Sequence, residues 1–287
     1  NRQSYIYFDD KGEKVLNALG FDKTGKVESL SAFEYWSDDT STARREDKNI
    51  RRIRQWSTKK GESDLSTHFG VTQPSANAKN GVALTDIDDN RQSYIYFDDK
   101  GEKVLNALGF DKTGKVESLS AFEYWSDDAT TARREDKNIR RIRQWSTKKG
   151  ESDLNAHFNE GATNRPSGNA KAGTALTDID DNRQSYIYFD DKGEKVLNTL
   201  GFDKTGKVES LSAFEYWSDD ATTARREDKN IRRIRQWSTK KGESDLNTHF
   251  GLTQPSANAK NGAALEDIDD NRQSYIYFDD KGEKVLN

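Results

Sequence analysis

The chain has 287 residues, of which 32% are hydrophobic and 33% are charged, so its apolar side chains are too few for one large core and favour several small folded units. It contains no cysteine, which excludes disulfide bonds, a thiolate nucleophile and cysteine-based metal centres. The formal net charge of −4 gives no overall field that would attract nucleic acid or an anionic membrane, and 10% aromatic residues indicate a folded chain.

An internal repeat divides the chain. The string NRQSYIYFDDKGEKVLN begins at Asn1, Asn90, Asn182 and Asn271. We therefore predict three repeats, at residues 1–89, 90–181 and 182–270, and a partial fourth repeat at residues 271–287. The partial repeat is predicted to supply a capping strand that pairs with the third repeat.

The first half of each repeat predicts β-hairpins. In the first copy, the segments SYIYF, KVLNALGF and VESLSAFEYW are separated by the short polar segments DDKGE and DKTGK. Gly12 and Gly25 fall where a type I turn followed by a bulge requires a positive φ angle. Side chains from Val27 to Trp36 alternate between two faces, as in a strand.

The segment TARREDKNIRRIRQW, at residues 42–56, fits two structures. Ile50, Ile53 and Trp56 recur every three residues, as on a helix, whereas Arg51, Ile53 and Gln55 alternate with their neighbours, as in a strand. We favour the strand between residues 44 and 57. The predicted fold is therefore all-β: an elongated tandem array of antiparallel β units of about 90 residues, with one short helix per unit as the alternative.

Most differences between the copies lie in one window near the end of each repeat. It runs from Ser66 to Thr85 in the first copy and from Asn155 to Thr177 in the second, where it is three residues longer. The window contains every proline of the chain and is rich in Ala, Asn, Ser and Gly, which is typical of an exposed loop or a linker.

The segments FDDKG and FDKTG, each followed by lysine and an apolar strand, resemble known repeats. They are similar to the aromatic-Asp-x-x-Gly hairpins of bacterial surface proteins, both cell-wall or glucan-binding repeats and tyrosine-aspartate (YD) repeats. The near-identical tandem copies are also similar in organisation to the stalks of Gram-positive adhesins. The tryptophan and glycine pattern of choline-binding repeats is absent, so the resemblance implies a surface or secreted repeat protein but no ligand.

Each repeat ends in an acidic segment that predicts a possible Ca²⁺ site, because carboxylates at alternate positions are the hard oxygen ligands that this ion prefers. The glycine and glutamate of an EF-hand are missing at the expected spacing, so a solvated acidic turn is the alternative. No other cofactor is expected. The candidate ligands are Asp86, Asp88, Asp89, Asp178, Asp180, Asp181, Asp267, Asp269 and Asp270.

Aromatic side chains predict a second kind of site, because rings beside carboxylates can stack on a sugar while the carboxylates accept its hydroxyl protons. Packing of the same rings in the core is the alternative, since each buries 150–250 Å² in typical proteins. The candidate carbohydrate-binding residues are Tyr5, Tyr7, Trp36, Trp56, Trp125, Trp145, Trp217 and Trp237.

A basic segment between Arg44 and Lys60 is the one strong charge asymmetry of each repeat. It could contact a polyanion, but we favour cross-strand pairing with carboxylates on a solvated face. His68, His157 and His249 have no serine or aspartate partner at a motif spacing, so they do not predict a general base.

These patterns predict a non-enzymatic protein. Near-identical units add length without adding chemistry, so we expect a structural or spacer segment of an extracellular, fibre-forming or bacterial surface protein. The alternative is a multivalent carbohydrate-binding module for glycans or cell-wall polymer. The expected partners are such glycans or, through head-to-tail self-association, further copies of the chain; nucleic-acid binding and membrane insertion are not expected.

Overall fold

The computed structural model describes residues 3–9, 11–35, 49–61, 64–68, 89–98, 100–124, 138–150, 153–154, 181–190, 192–217, 230–249 and 270–286. Thirteen strands form a sheet in which they follow sequence order, with β1 and β13 at the edges. Within these ranges the only helical segments are single 3₁₀ turns, such as Leu65–His68 and Leu246–His249, so the predicted all-β class is confirmed.

Each full repeat supplies four strands. In the first repeat these are β1 (Ser4–Phe8), β2 (Val15–Phe21), β3 (Val27–Tyr35) and β4 (Ile50–Ser57). In the second they are β5 (Arg91–Phe97), β6 (Val104–Phe110), β7 (Val116–Tyr124) and β8 (Ile139–Ser146). In the third they are β9 (Arg183–Phe189), β10 (Val196–Phe202), β11 (Val208–Tyr216) and β12 (Ile231–Ser238), and β13 (Arg272–Tyr277) belongs to the partial repeat.

The ambiguous basic segment is a strand from Ile50 to Ser57, as we favoured, while residues 44–48 lie outside the described ranges. Its strand structure follows from its pairing with β3, in which Ile53 lies opposite Phe33 and Trp56 lies opposite Leu30. The three-residue spacing of Ile50, Ile53 and Trp56 would also fit a helix, but pairing with another strand determines the structure of this segment.

Aspartate side chains close the predicted hairpin turns. The Asp22 Oδ1 atom accepts hydrogen bonds from the Thr24 N–H (2.8 Å), the Thr24 hydroxyl (2.7 Å) and the Lys26 N–H (3.0 Å). The hydrogen bond from the Thr24 hydroxyl is the main reason why the pKa of Asp22 lies below its usual value. Gly25 has a φ angle of 86°, so the turn needs a residue without a Cβ there.

The two faces of the sheet differ in burial. Leu19, Leu30 and Trp56 lie opposite one another on consecutive strands and are at most 1% exposed. On the other face, Ser31 and Gln55 form the equivalent row and are half-buried. The core of the sheet therefore lies on the face that carries Trp56.

Contacts divide the chain into two compact units. The first comprises Asn1–Ala121 with Asp153–Thr174, and the second comprises Phe122–Ser152 with Ala175–Asn287. The division falls inside β7 and not at the end of a repeat. Among the described residues, the structure contains no helix that is long and apolar enough to span a membrane.

The two ends of the connection between β4 and β5 are in contact. The Asn90 side-chain amide donates to the carbonyl of Ser57 (3.2 Å) and to that of Gly61 (2.9 Å), and Gly61 packs so closely on the Asp89 backbone that it leaves no room for a Cβ. Asn182 and Asn271 make the equivalent bonds after β8 and β12. The variable window is thus closed at its base, which is the geometry of a loop.

Candidate functional site at the junction between repeats

The last strand of each full repeat pairs with the first strand of the next repeat. We call β4, β8 and β12 the exit strands, and β1, β5, β9 and β13 the entry strands. Between β4 and β5, Arg52 lies opposite Tyr96, Arg54 opposite Tyr94, and Trp56 opposite Arg91. The equivalent pairs recur between β8 and β9 and between β12 and β13. Successive repeats are therefore joined by main-chain pairing, and we call each such strand pair a repeat junction.

A buried group of charges lies at the first junction. The Arg52 Nη2 atom donates to both Glu34 carboxylate oxygens, at 2.9 and 2.8 Å, and its Nε atom donates to Oε2 at 3.1 Å. The Nε atom of Arg54 contacts the other oxygen of Glu34. All three side chains are at most 2% exposed. We call these residues the Glu–Arg cluster.

The two arginines determine the charge state of this glutamate. Burial alone would raise the pKa of Glu34, but the positive charges of Arg52 and Arg54 and the hydrogen bonds from Arg52 outweigh it, so the pKa lies below its usual value of 4.5. Burial raises the pKa of Tyr96, which stays a neutral hydrogen-bonding group beside the cluster. Glu34 is thus a carboxylate whose charge is compensated inside the core.

Rings of the entry strand and of the exit strand itself cover the arginines. The Arg52 guanidinium lies 5.5 Å from the ring centre of Tyr94 and 5.6 Å from that of Tyr96, and the Arg54 guanidinium lies 5.1 Å from the ring of Trp56. These distances fit cation–π contacts, which strengthen when the groups are removed from water. The cations of one repeat are therefore covered partly by rings of the next.

Three rings form a cluster that crosses the repeat boundary. The rings of Trp56 and Tyr94 meet edge to face at 5.9 Å, and those of Tyr94 and Phe110 at 4.8 Å. Trp56, Tyr94 and Phe110 are completely buried. We call this group the aromatic triad; Trp145, Tyr186 and Phe202 repeat it at 5.9 and 4.8 Å. The tryptophan comes from one repeat and the other two rings come from the next.

A lysine adds a further tie across the junction. The Lys60 Nζ atom donates to the backbone carbonyl of Phe110 at 2.6 Å and lies 3.7 Å from the Glu117 carboxylate. Lys149 makes the same bond to Phe202 at 2.7 Å. The turn after each exit strand is thereby attached to the second hairpin of the following repeat.

Most predicted carbohydrate-binding residues that the structure describes lie in or beside this packing. Trp56, Trp145 and Trp237 have no exposed surface, so their rings cannot stack on a sugar from solvent. Tyr5 and Tyr7 are half-buried, and Tyr5 packs on Phe21 at 5.1 Å. Trp217 lies under the Arg232 guanidinium at 4.8 Å, and Trp36 and Trp125 lie outside the described residues.

The acidic segments are described only at their ends. The Asp270 Oδ2 atom accepts hydrogen bonds from the Glu243 N–H (2.9 Å) and the Ser244 N–H (3.0 Å), and the hydrogen bond with the Ser244 side chain is the main cause of its lowered pKa. This carboxylate helps to close the loop after β12. Asp89 and Asp181 occupy the equivalent positions, while the other six predicted ligands lie outside the described ranges, so the Ca²⁺ site stays a prediction.

The three arginines of the basic segment that the structure describes are buried. We expected Arg–carboxylate pairing on a solvated face, and the pairing is present, but Arg51, Arg52 and Arg54 are at most 3% exposed. For these arginines the solvated location was wrong, because Arg52 and Arg54 share the core face with Glu34 on β3 and with the tyrosines of β5. Lys59, in contrast, is exposed and lies 3.7 Å from the Glu28 carboxylate. Sequence analysis predicted that an entry strand pairs with the preceding repeat, but it missed the buried Glu–Arg cluster at this junction. The signal was the alternation Arg-x-Arg-x-Trp, which places three large side chains on one face of a strand.

Comparisons with known proteins add little. No protein-family model matches the chain, and no curated protein matches it. Among solved structures, the chain is similar to a chain of the crystal structure of TcdB2-TccC3-Cdc42, with 9% identity and a TM-score of 0.15. The match covers 82% of this chain and 13% of that one. At this TM-score the likeness supports no conclusion about fold or function.

Proposed function

We propose that the chain is a non-enzymatic structural segment in which repeats extend a β-sheet and act as a spacer. The observation that carries the proposal is the repeat junction, where an exit strand and the following entry strand pair with the same residues at three places in the chain. Each added copy reproduces this pairing, so copy number sets the number of strands.

The buried contacts at the junction support this function. A repeat leaves its exit tryptophan and its Glu–Arg cluster incompletely covered unless an entry strand lies beside them, so neighbouring repeats stabilise one another. A stable spacer needs this dependence, because otherwise units could turn independently about flexible connections. The hairpins that resemble YD and cell-wall repeats, and the tandem organisation similar to adhesin stalks, support placement in a bacterial surface or secreted protein.

The structure gives the carbohydrate-binding alternative less support. Three of its eight candidate residues are completely buried, and Trp217 is engaged by Arg232 and by a hydrogen bond from its Nε1 atom to the Asp279 carbonyl (3.3 Å). Binding would have to use Tyr5, Tyr7 or the two tryptophans outside the described residues. Acrylamide quenching and a glycan array measured on the same chain test this alternative directly.

A copy-number series tests the structural proposal. Chains with two, three and four full repeats, each followed by residues 271–287, should unfold at increasing denaturant concentration, because each added junction contributes stability. The maximum dimension from small-angle X-ray scattering should rise by a similar increment with each repeat.

The control is the same series with Trp56 and its equivalents changed to alanine, in which the copy-number dependence of stability should be lost. Unfolding midpoints that are independent of copy number in the unmodified series would show that the repeats are separate domains, which contradicts the proposal.

A further inference from the structure

One sequence occurs as an entry strand in three different surroundings. The segment SYIYF lies within β5 between two neighbouring strands and forms β1 beside β2 at one edge of the sheet. At the other edge, its first four residues are the end of β13, beside β12. In β5, Tyr94 and Tyr96 are at most 3% exposed. In β1, the corresponding Tyr5 and Tyr7 are half-buried, and Ile6 and Phe8 are 54% and 52% exposed, whereas their counterparts Ile95 and Phe97 in β5 are half-buried. The side chains of β1 are therefore more exposed than the same side chains in β5, where an exit strand lies beside them.

The last junction is also less complete than the others. Arg233, which corresponds to Arg52, has a side chain that is 24% exposed, whereas that of Arg52 has no exposed surface. Tyr277, the counterpart of Tyr96, is 36% exposed. β13 thus covers β12 less well than β5 covers β4, because a full second strand follows β5.

The two edges carry complementary parts of the aromatic triad. At the first edge, Tyr5 packs on Phe21 at 5.1 Å, which supplies the tyrosine and phenylalanine. At the last junction, Trp237 packs on Tyr275 at 6.3 Å, which supplies the tryptophan and a tyrosine. If Tyr5 replaced Tyr275, Trp237, Tyr5 and Phe21 would reproduce the arrangement of Trp56, Tyr94 and Phe110.

We propose that β1 of one copy pairs with β12 of a second copy in place of β13. Residues 1–17 and 271–287 have identical sequences, so β1 can make every pairing that β13 makes. Ser4 would lie opposite Gln236, and Ile6 opposite Ile234, in the register that Ser274 and Ile276 now occupy. The partner is a second copy of this chain, and the interface continues the repeat junction already present within it.

The exchange conserves strand pairs and improves their burial. One β12–β13 pairing is lost and one pairing of β12 with β1 is gained, while the outer edge of β1 becomes covered and the triad is completed. Each added copy again presents its own β12, so the contact is heterologous and produces head-to-tail oligomers. Because β13 is in the same chain as β12, its effective concentration beside β12 is high. β1 of a second copy should therefore replace it increasingly as the protein concentration rises.

Paired cysteines test this arrangement in the full chain, which has no cysteine of its own. At the internal junction the Ser93 hydroxyl donates to Gln55 Oε1 at 2.6 Å, so side chains at these two positions reach each other. Ser4→Cys with Gln236→Cys places cysteines at the corresponding positions of β1 and β12. Oxidation at increasing protein concentration should give a ladder of disulfide-linked multimers on a non-reducing gel, and reductant should remove it.

The matched control combines Ser4→Cys with Gln55→Cys. Gln55 lies on an exit strand of the same sequence, but its partner β5 continues into a complete repeat, so β1 should not displace it. A ladder in the first chain and monomer in the control is the expected result. Monomer alone in both chains, or equal ladders in both, would overturn the proposal, provided that far-UV circular dichroism shows an intact sheet in each.

A backbone variant tests the pairing itself. The Phe21 N–H donates to the Gln3 carbonyl, so alternation along β1 points the Ile6 N–H away from β2. In the chain with Ser4→Cys and Gln236→Cys, Ile6→Pro should abolish the ladder and Ile6→Val should keep it. A ladder that persists with proline would refute strand pairing.

The proposal rests on the junction used for the proposed function. The two can nevertheless fail independently, because a chain that forms only monomers can still show copy-number-dependent stability.

Discussion

At the scale of single residues, the junction places in the core side chains that usually lie on surfaces. Arg52 and Arg54 are buried because they face Glu34 on one neighbouring strand and tyrosine rings on the other. The turn residues Asp22 and Gly25 could be predicted from sequence, since their geometry depends on four or five neighbouring residues. The burial of the arginines could not, because it depends on a strand register set by the following repeat.

Removing the Glu34 carboxylate should destabilise the first junction strongly. Glu34→Ala would leave Arg52 and Arg54 buried without their counter-ion, which typically costs about 3–5 kcal/mol. Urea unfolding followed by far-UV circular dichroism should show a transition at lower denaturant concentration. Glu28→Ala is the control on the same strand, since the Glu28 side chain is 40% exposed and lies 3.7 Å from the exposed Lys59, so its unfolding curve should change little. Equal shifts for both variants would contradict the role of the Glu–Arg cluster.

The same glutamate predicts how acid affects stability. Because the pKa of Glu34 is lowered on folding, its contribution to stability is complete above its usual pKa of 4.5 and is lost as the pH falls through its lower pKa in the folded chain. Urea midpoints measured from neutral pH downwards should therefore decrease below this value. Glu34→Gln, which cannot titrate, should show a smaller decrease, and an unchanged pH dependence in this variant would exclude Glu34 as a source of the acid sensitivity.

At the scale of elements, the two kinds of connection have different tolerance to change. The β2–β3 turn is held by hydrogen bonds to one aspartate, whereas the connection from β4 to β5 is held at its base by Asn90, Ser57 and Gly61. The sequence indicated a loop or a linker from composition and from the three extra residues of the second copy. Composition could not show that the ends meet, because that depends on the position of Asn90 beside an exit strand.

An insertion should test this difference. Six Gly and Ser residues placed after Ala76 should lower the free energy of unfolding by less than about 0.6 kcal/mol, the cost of doubling a loop, because the base contacts are unaffected. The same insertion between Lys23 and Thr24 should reduce stability more, since Asp22 would lose its partners. Thermal melts of both chains give the comparison, and a larger loss for the insertion after Ala76 would show that the base does not isolate the loop.

At the scale of the whole chain, the repeats depend on strands that lie outside their sequence boundaries. Self-comparison of the sequence located the copies and the shared segment at residues 271–287. It also predicted a capping strand, and the structure shows the pairing that capping requires, between β12 and β13. How much this pairing stabilises the third repeat stays a prediction, since it depends on burial around Trp237 and not on strand order alone.

Deleting residues 271–287 should destabilise the third repeat. Trp237 would lose its contact with Tyr275, so its fluorescence should shift to longer wavelength and acrylamide should quench it more strongly. The control is deletion of residues 280–287, which keeps β13 and the Asp279 carbonyl that accepts a hydrogen bond from Trp217. Identical unfolding and quenching curves for the chain without residues 271–287 and the intact chain would refute capping.

The identity of the junctions also has a genetic consequence. Because each exit strand meets the same entry-strand sequence, an unequal crossover between any two copies recreates a junction that already exists in the chain. A gain or loss of whole repeats therefore leaves the residues at every junction unchanged. A substitution of a junction residue in one copy, in contrast, creates a mismatch with every copy that recombination places beside it. Selection on the junction thus acts on all copies together, which fits their near-identity outside the loop closed at its base.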